Sequence, residues 1–540
     1  MQILKNKLNI LYLYDYMKLG GAETHIITLS KAIKDLGHNV YIAAPNGPAV
    51  KWIKEENIIF LECSLDNWNE QFESLKRIVS SIEHYDIDII HAHPFNSQII
   101  GSLAAYVTRK PCVTTIHGEY ETPALENFLK PLFSKYVCVG DNIKNLYIKY
   151  GIKAEDVQVI KNTVEIRELS QKADFFKNGI VNLCYISRLD DDKIKTLEFL
   201  LNALSELRKY LHIRLTIVGE GTHLERIKLL SETINAEFND RVVSVVGGTT
   251  DVFKYIEKSD IVVGIGRVLL EALSAGKFAI CIGDTYYTGP INTSNFMKLS
   301  EFNFTGRNMK NELRIDSLIN DIREIYFDFD NKFKELVAVY NILKDSFSVN
   351  SSARKHINCY NEVIDSFTDN IFEFDSSYRV TSYPLSEELK LLFLGRNYNN
   401  KRLLYHFVDS KQTKILICPD FKDKKDCWKI CLENLFAKYD NNSDVTIVIR
   451  IGNEYIDCQE SIIDEIGSYI SLFNIEVLPD ILLDIDYHDK EVESCFLASV
   501  DIFISTNDNQ LNEIIKCKLA NVEVYKCNQT VESGFKLTKL

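Results

Sequence analysis

No apolar run in this chain of 540 residues approaches the roughly 18 that a membrane-crossing helix needs, so no transmembrane span is expected. No block of lysine and arginine exceeds a few residues, and the formal net charge is -14, which argues against a nucleic-acid partner. Met1 to Ile10 carries lysines, but no long apolar stretch or small-residue cleavage site follows, so no secretory leader is expected. The 13 cysteines are odd in number and scattered, several in strand-like runs (Cys112, Cys138, Cys184, Cys281, Cys418). That is the pattern of reduced, buried thiols in the cytoplasm rather than of a disulfide framework. Cys427 and Cys431 fit one helix face, yet no second ligand pair follows at zinc-site spacing, so core packing is preferred to a metal. What is present is ordinary globular composition, 46% hydrophobic and 26% charged, in a chain too long for one core.

From residue 8 the hydrophobic pattern alternates between strand and helix. Leu8 to Tyr14 reads as a strand, Gly20-Gly21 as a turn, and Ala22 to Leu36 as a helix with Ile26, Leu29, Ala32, Ile33 and Leu36 on one face. Further strands are expected at Asn39 to Ala44, Ile87 to His91, Cys112 to Ile116, Tyr136 to Val139 and Val157 to Ile160. A second set runs through Val181 to Ile186, Arg214 to Val218, Val242 to Val246, Ile261 to Val263 and Phe278 to Ile282. Alternation of this kind implies α/β, doubly wound parallel sheets. Residues 311–345 and 350–368 read as long amphipathic helices, and the stretch near 369–390 as a linker. The remainder can be laid over the second set. Lys414 to Pro419 matches its first strand, Val445 to Ile449 its second and Ile475 to Leu478 its third, and Val492 to Ile504 parallels Val252 to Val263. An internal repeat of one Rossmann-like unit is the preferred reading, two unrelated α/β domains the alternative.

Two runs carry chemistry. Ser187-Arg188-Leu189-Asp190-Asp191-Asp192-Lys193 puts two cations past a strand end, where a helix begins. Gly264-Ile265-Gly266-Arg267-Val268-Leu269-Leu270-Glu271 is a glycine-rich turn feeding a helix with a carboxylate. Cations at a helix N-terminus hold a diphosphate, and a nearby carboxylate accepts two ribose hydroxyls. Gly20 and Gly21 let the backbone approach a phosphate. The three aspartates would weaken such a site if they pointed inward; solvated loop charges are the expectation.

Several segments in order resemble the retaining GT-B glycosyltransferases of family 4, over about residues 8–368. They are Gly20-Gly21-Ala22-Glu23, Asp88-Ile89-Ile90-His91-Ala92-His93, Thr114-Thr115-Ile116-His117-Gly118, Val159-Ile160-Lys161-Asn162, Ser187-Arg188-Leu189 with Lys193, Val218-Gly219-Glu220-Gly221, and Leu270-Glu271-Ala272 through Gly276-Lys277. The resemblance implies two Rossmann-like domains facing a cleft, 1–165 on the acceptor side and 166–370 on the donor side. A linker at 371–390 and a degenerate third unit at 391–540 would follow. It implies a nucleoside-diphosphate sugar as donor and a glycan, lipid-linked or protein acceptor, with no metal and no cofactor. His117, Arg188 and Lys193 take the catalytic places. Gly20, Gly21, Gly219, Gly264, Gly266, Arg267 and Glu271 bind the donor, and Glu119 and Tyr120 line the acceptor side. The implied location is cytoplasmic, at the inner face of the membrane.

Two departures stand out. The family commonly carries a second glutamate eight residues before Glu271, and this chain has Val263 there. Arg267 takes a place usually apolar. In the third unit, Asp420 replaces Arg188, and Ser505 to Asn509 lacks the glycines of Gly264 to Gly266. A carboxylate there repels a diphosphate, so packing, acceptor docking or oligomerisation through 391–540 is expected. A non-catalytic partner subunit on the same scaffold is the competing reading.

Overall fold

The computed structural model describes residues 7–18, 21–120, 129–191, 194–249, 251–283, 286–309, 312–367, 385–386, 388–389, 392, 407, 410–486, 488–507, 509–528 and 536–540. In chain order, the first lobe holds β1 (Asn9–Leu13), β2 (Asn39–Ala44), β3 (Ile59–Glu62), β4 (Ile89–Ala92), β5 (Cys112–Ile116), β6 (Lys135–Cys138) and β7 (Val157–Val159). The second holds β8 (Ile180–Ile186), β9 (His212–Val218), β10 (Val243–Gly247), β11 (Ile261–Gly264), β12 (Phe278–Ile282) and β13 (Tyr287–Pro290). The third holds β14 (Thr413–Ile417), β15 (Val445–Arg450), β16 (Asp480–Asp484), β17 (Ile502–Ser505), β18 (Glu523–Asn528) and β19 (Lys536–Lys539).

The first sheet runs β3-β2-β1-β4-β5-β6-β7, all parallel. Every residue of β4 and β5 is buried, as expected of parallel strands covered by helices on both faces. The second and third sheets share one order, β10-β9-β8-β11-β12-β13 and β16-β15-β14-β17-β18-β19, each closed by an antiparallel edge strand. This common order is what the alignment of the third unit onto the second leads one to expect. One strand is displaced: Ile475–Val477 is a 3₁₀ turn, and the third strand begins after Pro479, at Asp480. Pro479 has no N–H to give a ladder, and pairing with β15 starts just after it, with Asp480 opposite Thr446.

The expected helix at 311–345 is two, Ile315–Phe327 and Phe329–Ser346, and the next, Val349–Ser366, returns to the first lobe. Its Ala353, Cys359, Tyr360 and Val363 join the core of β1 and the helix Gly21–Asp35. There the Tyr12 and Tyr360 hydroxyls meet at 2.7 Å. The third unit is also anchored to the first lobe. Ile515 and Leu519 of the helix Leu511–Leu519, with Leu385, Leu389 and Leu392, are buried in the first-lobe core. Lys516, itself buried, bonds Glu388 at 3.1 Å and Glu493 at 2.7 Å. Among the described residues no helix is long and apolar enough to cross a membrane.

Candidate functional site

A ligand site in a doubly wound sheet lies beyond the carboxyl ends of the strands where strand order reverses. In the second lobe that point lies between β8 and β11. Two loops there are pressed together. Ser187 N–H donates to Val218 O (3.1 Å) and Leu189 N–H to Glu220 O (2.8 Å). Gly219 has φ +157°, and a Cβ on it would sit 1.8 Å from Ser187 O; one on Gly221 would sit 2.5 Å from the Leu189 carbonyl carbon. Only glycine permits this approach. The braid leaves the Arg188 side chain two-thirds exposed, 3.5 Å from Asp190. Asp190 accepts from Thr222 N–H (3.0 Å) and Asp191 meets His223 Nε2 at 2.6 Å. These two aspartates are thus tied to the 222–223 turn. Lys193 and Asp192 lie outside the described residues.

Beyond β11, Gly266 (φ +72°) caps the helix Arg267–Ser274. Its own N–H donates to Phe304 O at 2.9 Å, which ties the turn to the 304 loop. Gly264 is buried under Val268, whose Cγ1 would lie 3.0 Å from an added Cβ. On the first turn, Arg267 Nε donates to Glu271 Oε1 at 2.9 Å and Nη1 donates to Thr163 O at 2.7 Å. Burial pushes the Glu271 carboxyl up, against the pull of Arg267 and Arg167.

The first lobe supplies the facing wall. Gly20 lies outside the described residues; Gly21 opens the helix Gly21–Asp35. Glu23 on its first turn is buried. Burial raises its carboxyl, opposed by its own and Lys18's N–H groups and by the Lys18 and Arg188 charges. Asp15, just past β1, accepts from the N–H groups of Phe95, Asn96 and Ser97 (2.8, 2.7 and 2.6 Å), filling the N-terminus of the helix Asn96–Thr108. His117 follows β5 and its Nε2 lies 2.8 Å from His93 Nδ1. The ring of His25 meets His117 edge-on at 5.5 Å. Burial lowers the His117 imidazole to about 4. Glu119 reaches the second lobe, accepting from Arg307 Nη1 at 2.7 Å. Tyr120 packs edge-on against Phe95 at 4.8 Å.

The equivalent edge of the third unit is filled by its own side chains. Asp426 accepts from the N–H groups of Asp420 and Trp428 and from Thr506 Oγ1 and Asn507 Nδ2, all within 3.0 Å. Asp420 accepts from Tyr455 Oη at 2.6 Å and from the N–H groups of Lys422 and Asp423. A carboxylate therefore already sits where a phosphate would bind. The one group of potential metal ligands among the described residues, Asp484, Asp486 and His488, holds the Arg450 guanidinium on Asp484, which opposes a cation there.

Residues 19–168 match the family model Glycosyltransferase Family 4, and residues 181–285 match Glycosyl transferases group 1. Over these two lobes the chain is similar to the family 4 and group 1 glycosyltransferases. Each match falls on one lobe, and together they take in Arg188, His117 and Glu271. Among similar proteins is the phosphatidyl-myo-inositol mannosyltransferase of Mycobacterium tuberculosis, 22% identical over 223 residues, covering 38% of this chain and 58% of that protein. The enzyme of that name from Propionibacterium freudenreichii is 22% identical over 287 residues, covering 49% and 73%. The chain thus spans under two thirds of the length of the mycobacterial relatives it matches. A glycosyltransferase structure from Rickettsia africae is similar with TM-score 0.53, 22% identity and coverage of 67% and 100%. Anabaena HepE in complex with UDP and glucose gives 0.52, 19%, 65% and 98%. The family 4-like lobes have the GT-B fold; the third unit lies outside both family matches.

Sequence reasoning assigned no role to Arg307, Thr163 or Asp15. Arg307 and Thr163 meet the site only across the lobes, so no local pattern marks them. Glu23 lay inside a quoted motif, and its burial is the signal that raises it.

Proposed function

We propose that this chain is a retaining glycosyltransferase that moves a sugar from a nucleoside diphosphate to an acceptor hydroxyl. The bond from the anomeric carbon to the diphosphate breaks, and a bond to the acceptor oxygen forms on the same face. The acceptor proton passes to the departing diphosphate oxygen. Arg188, joined by Lys193, stabilises the charge that grows on the leaving group; no metal is required for that work. Glu271 takes the ribose hydroxyls and Arg267 holds it. His117, Glu119 and Tyr120 face the sugar and acceptor from the first lobe.

The observation that carries this reading is the braid of loops 187–191 and 219–222, in which Gly219 and Gly221 bring two backbones together and leave Arg188 at the switch point. The acceptor is a glycan, lipid-linked sugar or protein. The named substrate of the mannosyltransferase relatives favours a lipid-linked one, met at the inner face of the membrane. Thermal stabilisation by UDP, GDP or ADP identifies the base, since ligand at a hundred times its dissociation constant adds about 2.7 kcal/mol. Release of nucleoside diphosphate from the matching sugar donor in the presence of chelator tests the activity. No stabilisation by any of the three would overturn it.

A further inference from the structure

Five of the eleven histidines lie together in the first lobe: His25, His91, His93, His117 and His356. His91 is fully bonded, Nδ1 to Tyr360 Oη at 2.5 Å and Nε2 to Thr115 Oγ1 at 2.7 Å. His93 is not. Its Nδ1 meets His117 Nε2 at 2.8 Å, while its Nε2 is buried with no partner. The His93 side chain is wholly buried. Its ring lies parallel to that of His91, 4.9 Å away with 4° between planes, and Tyr14 meets it edge-on at 5.8 Å. The ring cannot turn over without disturbing both neighbours.

The His93 and His117 centroids are 5.0 Å apart with 12° between planes. With nitrogens at 2.8 Å, the bond runs nearly in the plane of both rings, the geometry of a well-aligned hydrogen bond. Only one of the two nitrogens can carry the proton. If His117 donated, neutral His93 would carry its own proton on Nε2, a buried N–H with no acceptor. If His93 donates, its Nε2 is a bare lone pair. An orphaned buried N–H is the rarer and costlier of the two. A doubly protonated pair is excluded by burial, which lowers both rings far below the ordinary histidine range.

We infer that His93 is a positioning residue that fixes the tautomer of His117, so that His117 presents Nδ1–H to the cleft as a neutral hydrogen-bond donor and not as a base. His117 is only partly buried, and its Nδ1, unlike His93 Nε2, is not a buried unpartnered atom; Glu119, two residues on, bridges to Arg307 of the facing lobe, so His117 stands beside the space between lobes. Given the glycosyltransferase reading, the ligand of that N–H is a hydroxyl or ring oxygen of the donor sugar, an acceptor in either case. This assigns His117 to holding the sugar and leaves proton removal to the leaving diphosphate.

The tautomer is read directly by long-range proton–nitrogen correlation on the full chain labelled with 15N-histidine, the signals assigned by loss in His93→Asn and His117→Gln. The expected result is both His93 and His117 protonated on Nδ1. In His93→Leu, His117 moves to the Nε2–H form. In His93→Asn, whose amide N–H stands in for Nδ1–H, it remains Nδ1–H. With a turned-over donor, His93→Leu lowers kcat by about tenfold or more with nucleotide stabilisation unchanged, and Asn recovers most of it. An Nε2–H signal for wild-type His117, or an unchanged His117 in His93→Leu, overturns the inference. If His93→Leu fails to fold, the wild-type and Asn spectra still decide. The spectrum needs no substrate, so the expected tautomers with no donor turnover would sink the glycosyltransferase reading and leave this one standing.

Discussion

Arg267 and Glu271, one helical turn apart and both about nine-tenths buried, form an ion pair whose guanidinium also holds the Thr163 carbonyl of the interlobe segment. The Glu271 carboxylate is therefore pre-oriented by a cation that also ties its helix to the interlobe segment. Removing one partner of a buried pair leaves the other charge uncompensated, at a cost of about 3–5 kcal/mol. Arg267→Leu, which restores the usual apolar residue, is expected to lower Tm markedly and to weaken nucleotide binding. A variant with wild-type Tm would show that the pair contributes nothing.

Glu271→Gln separates binding from chemistry. Ribose contacts are similar in ground and transition states, so their loss raises KM and leaves kcat near wild type. Steady-state kinetics with the identified donor checks this. A large fall in kcat at unchanged KM would give Glu271 a chemical role instead.

Arg188→Ala is expected to reduce donor turnover well over tenfold while leaving the fold intact, because one oriented donor to a growing oxyanion is worth about 2–4 kcal/mol. Its side chain is two-thirds exposed, so little stability is at stake. Gly219→Ala should act differently. Its Cβ would meet Ser187 O at 1.8 Å, so the two loops must part, and both Tm and nucleotide binding fall.

How much of this was legible follows from what is local. The central strands of all three sheets, the turn glycines, Arg188 and Glu271 lie in contiguous patterns of periodicity and spacing. β3 is absent from the sequence-based strands although Ile58 to Leu61 is an apolar run, because the run is only four residues long and the strand it forms is a half-exposed sheet edge. β16 was set a few residues early because Asp480 and Asp484 bracket its apolar stretch, while Ile475 to Leu478 mimics a strand. The split at Asp328 fell within a continuous amphipathic pattern. The pairing of His93 with His117 depends on β4 lying beside β5 with Ala92 opposite Thr114, and strand order cannot be read from either segment. The Arg267 contact to Thr163 likewise exists only once the lobes are assembled.

The buried histidines set an acid limit. Burial lowers His356 to about 4, and His117 likewise. The unfolded chain binds protons near 6.5 and the folded one only near 4, so stability is lost as pH falls through that window. For His356 alone the loss is on the order of 3 kcal/mol. Asp15, Glu23 and Glu271, raised by burial, act in the opposite sense, favouring the folded state at low pH. The clean measurement is therefore differential: Tm from pH 7 to 4.5 for wild type and His356→Gln. The variant should show the shallower fall, and parallel curves would refute the assignment.

The third unit should behave as part of the first lobe. Ile515 and Leu519 are wholly buried in that lobe's core, and Lys516 lies over Phe72 at 5.3 Å between Glu388 and Glu493. Ile515→Ala should cost about 2–5 kcal/mol and lower the transition of the first lobe, not of the third unit alone. Truncation after residue 372 uncovers the same apolar face, so the shortened chain should lose solubility and acceptor transfer, while the second lobe, which carries Arg188 and Glu271, still binds nucleotide. No nucleotide should bind the third unit, because Asp426 already takes the hydrogen bonds at the start of the helix Trp428–Lys438 and from the loop after β17. Calorimetry on the full chain should accordingly give one nucleoside diphosphate per chain, abolished by the Arg188→Ala, Glu271→Gln double variant. A second site surviving in that variant would show that the third unit binds nucleotide despite its own carboxylate.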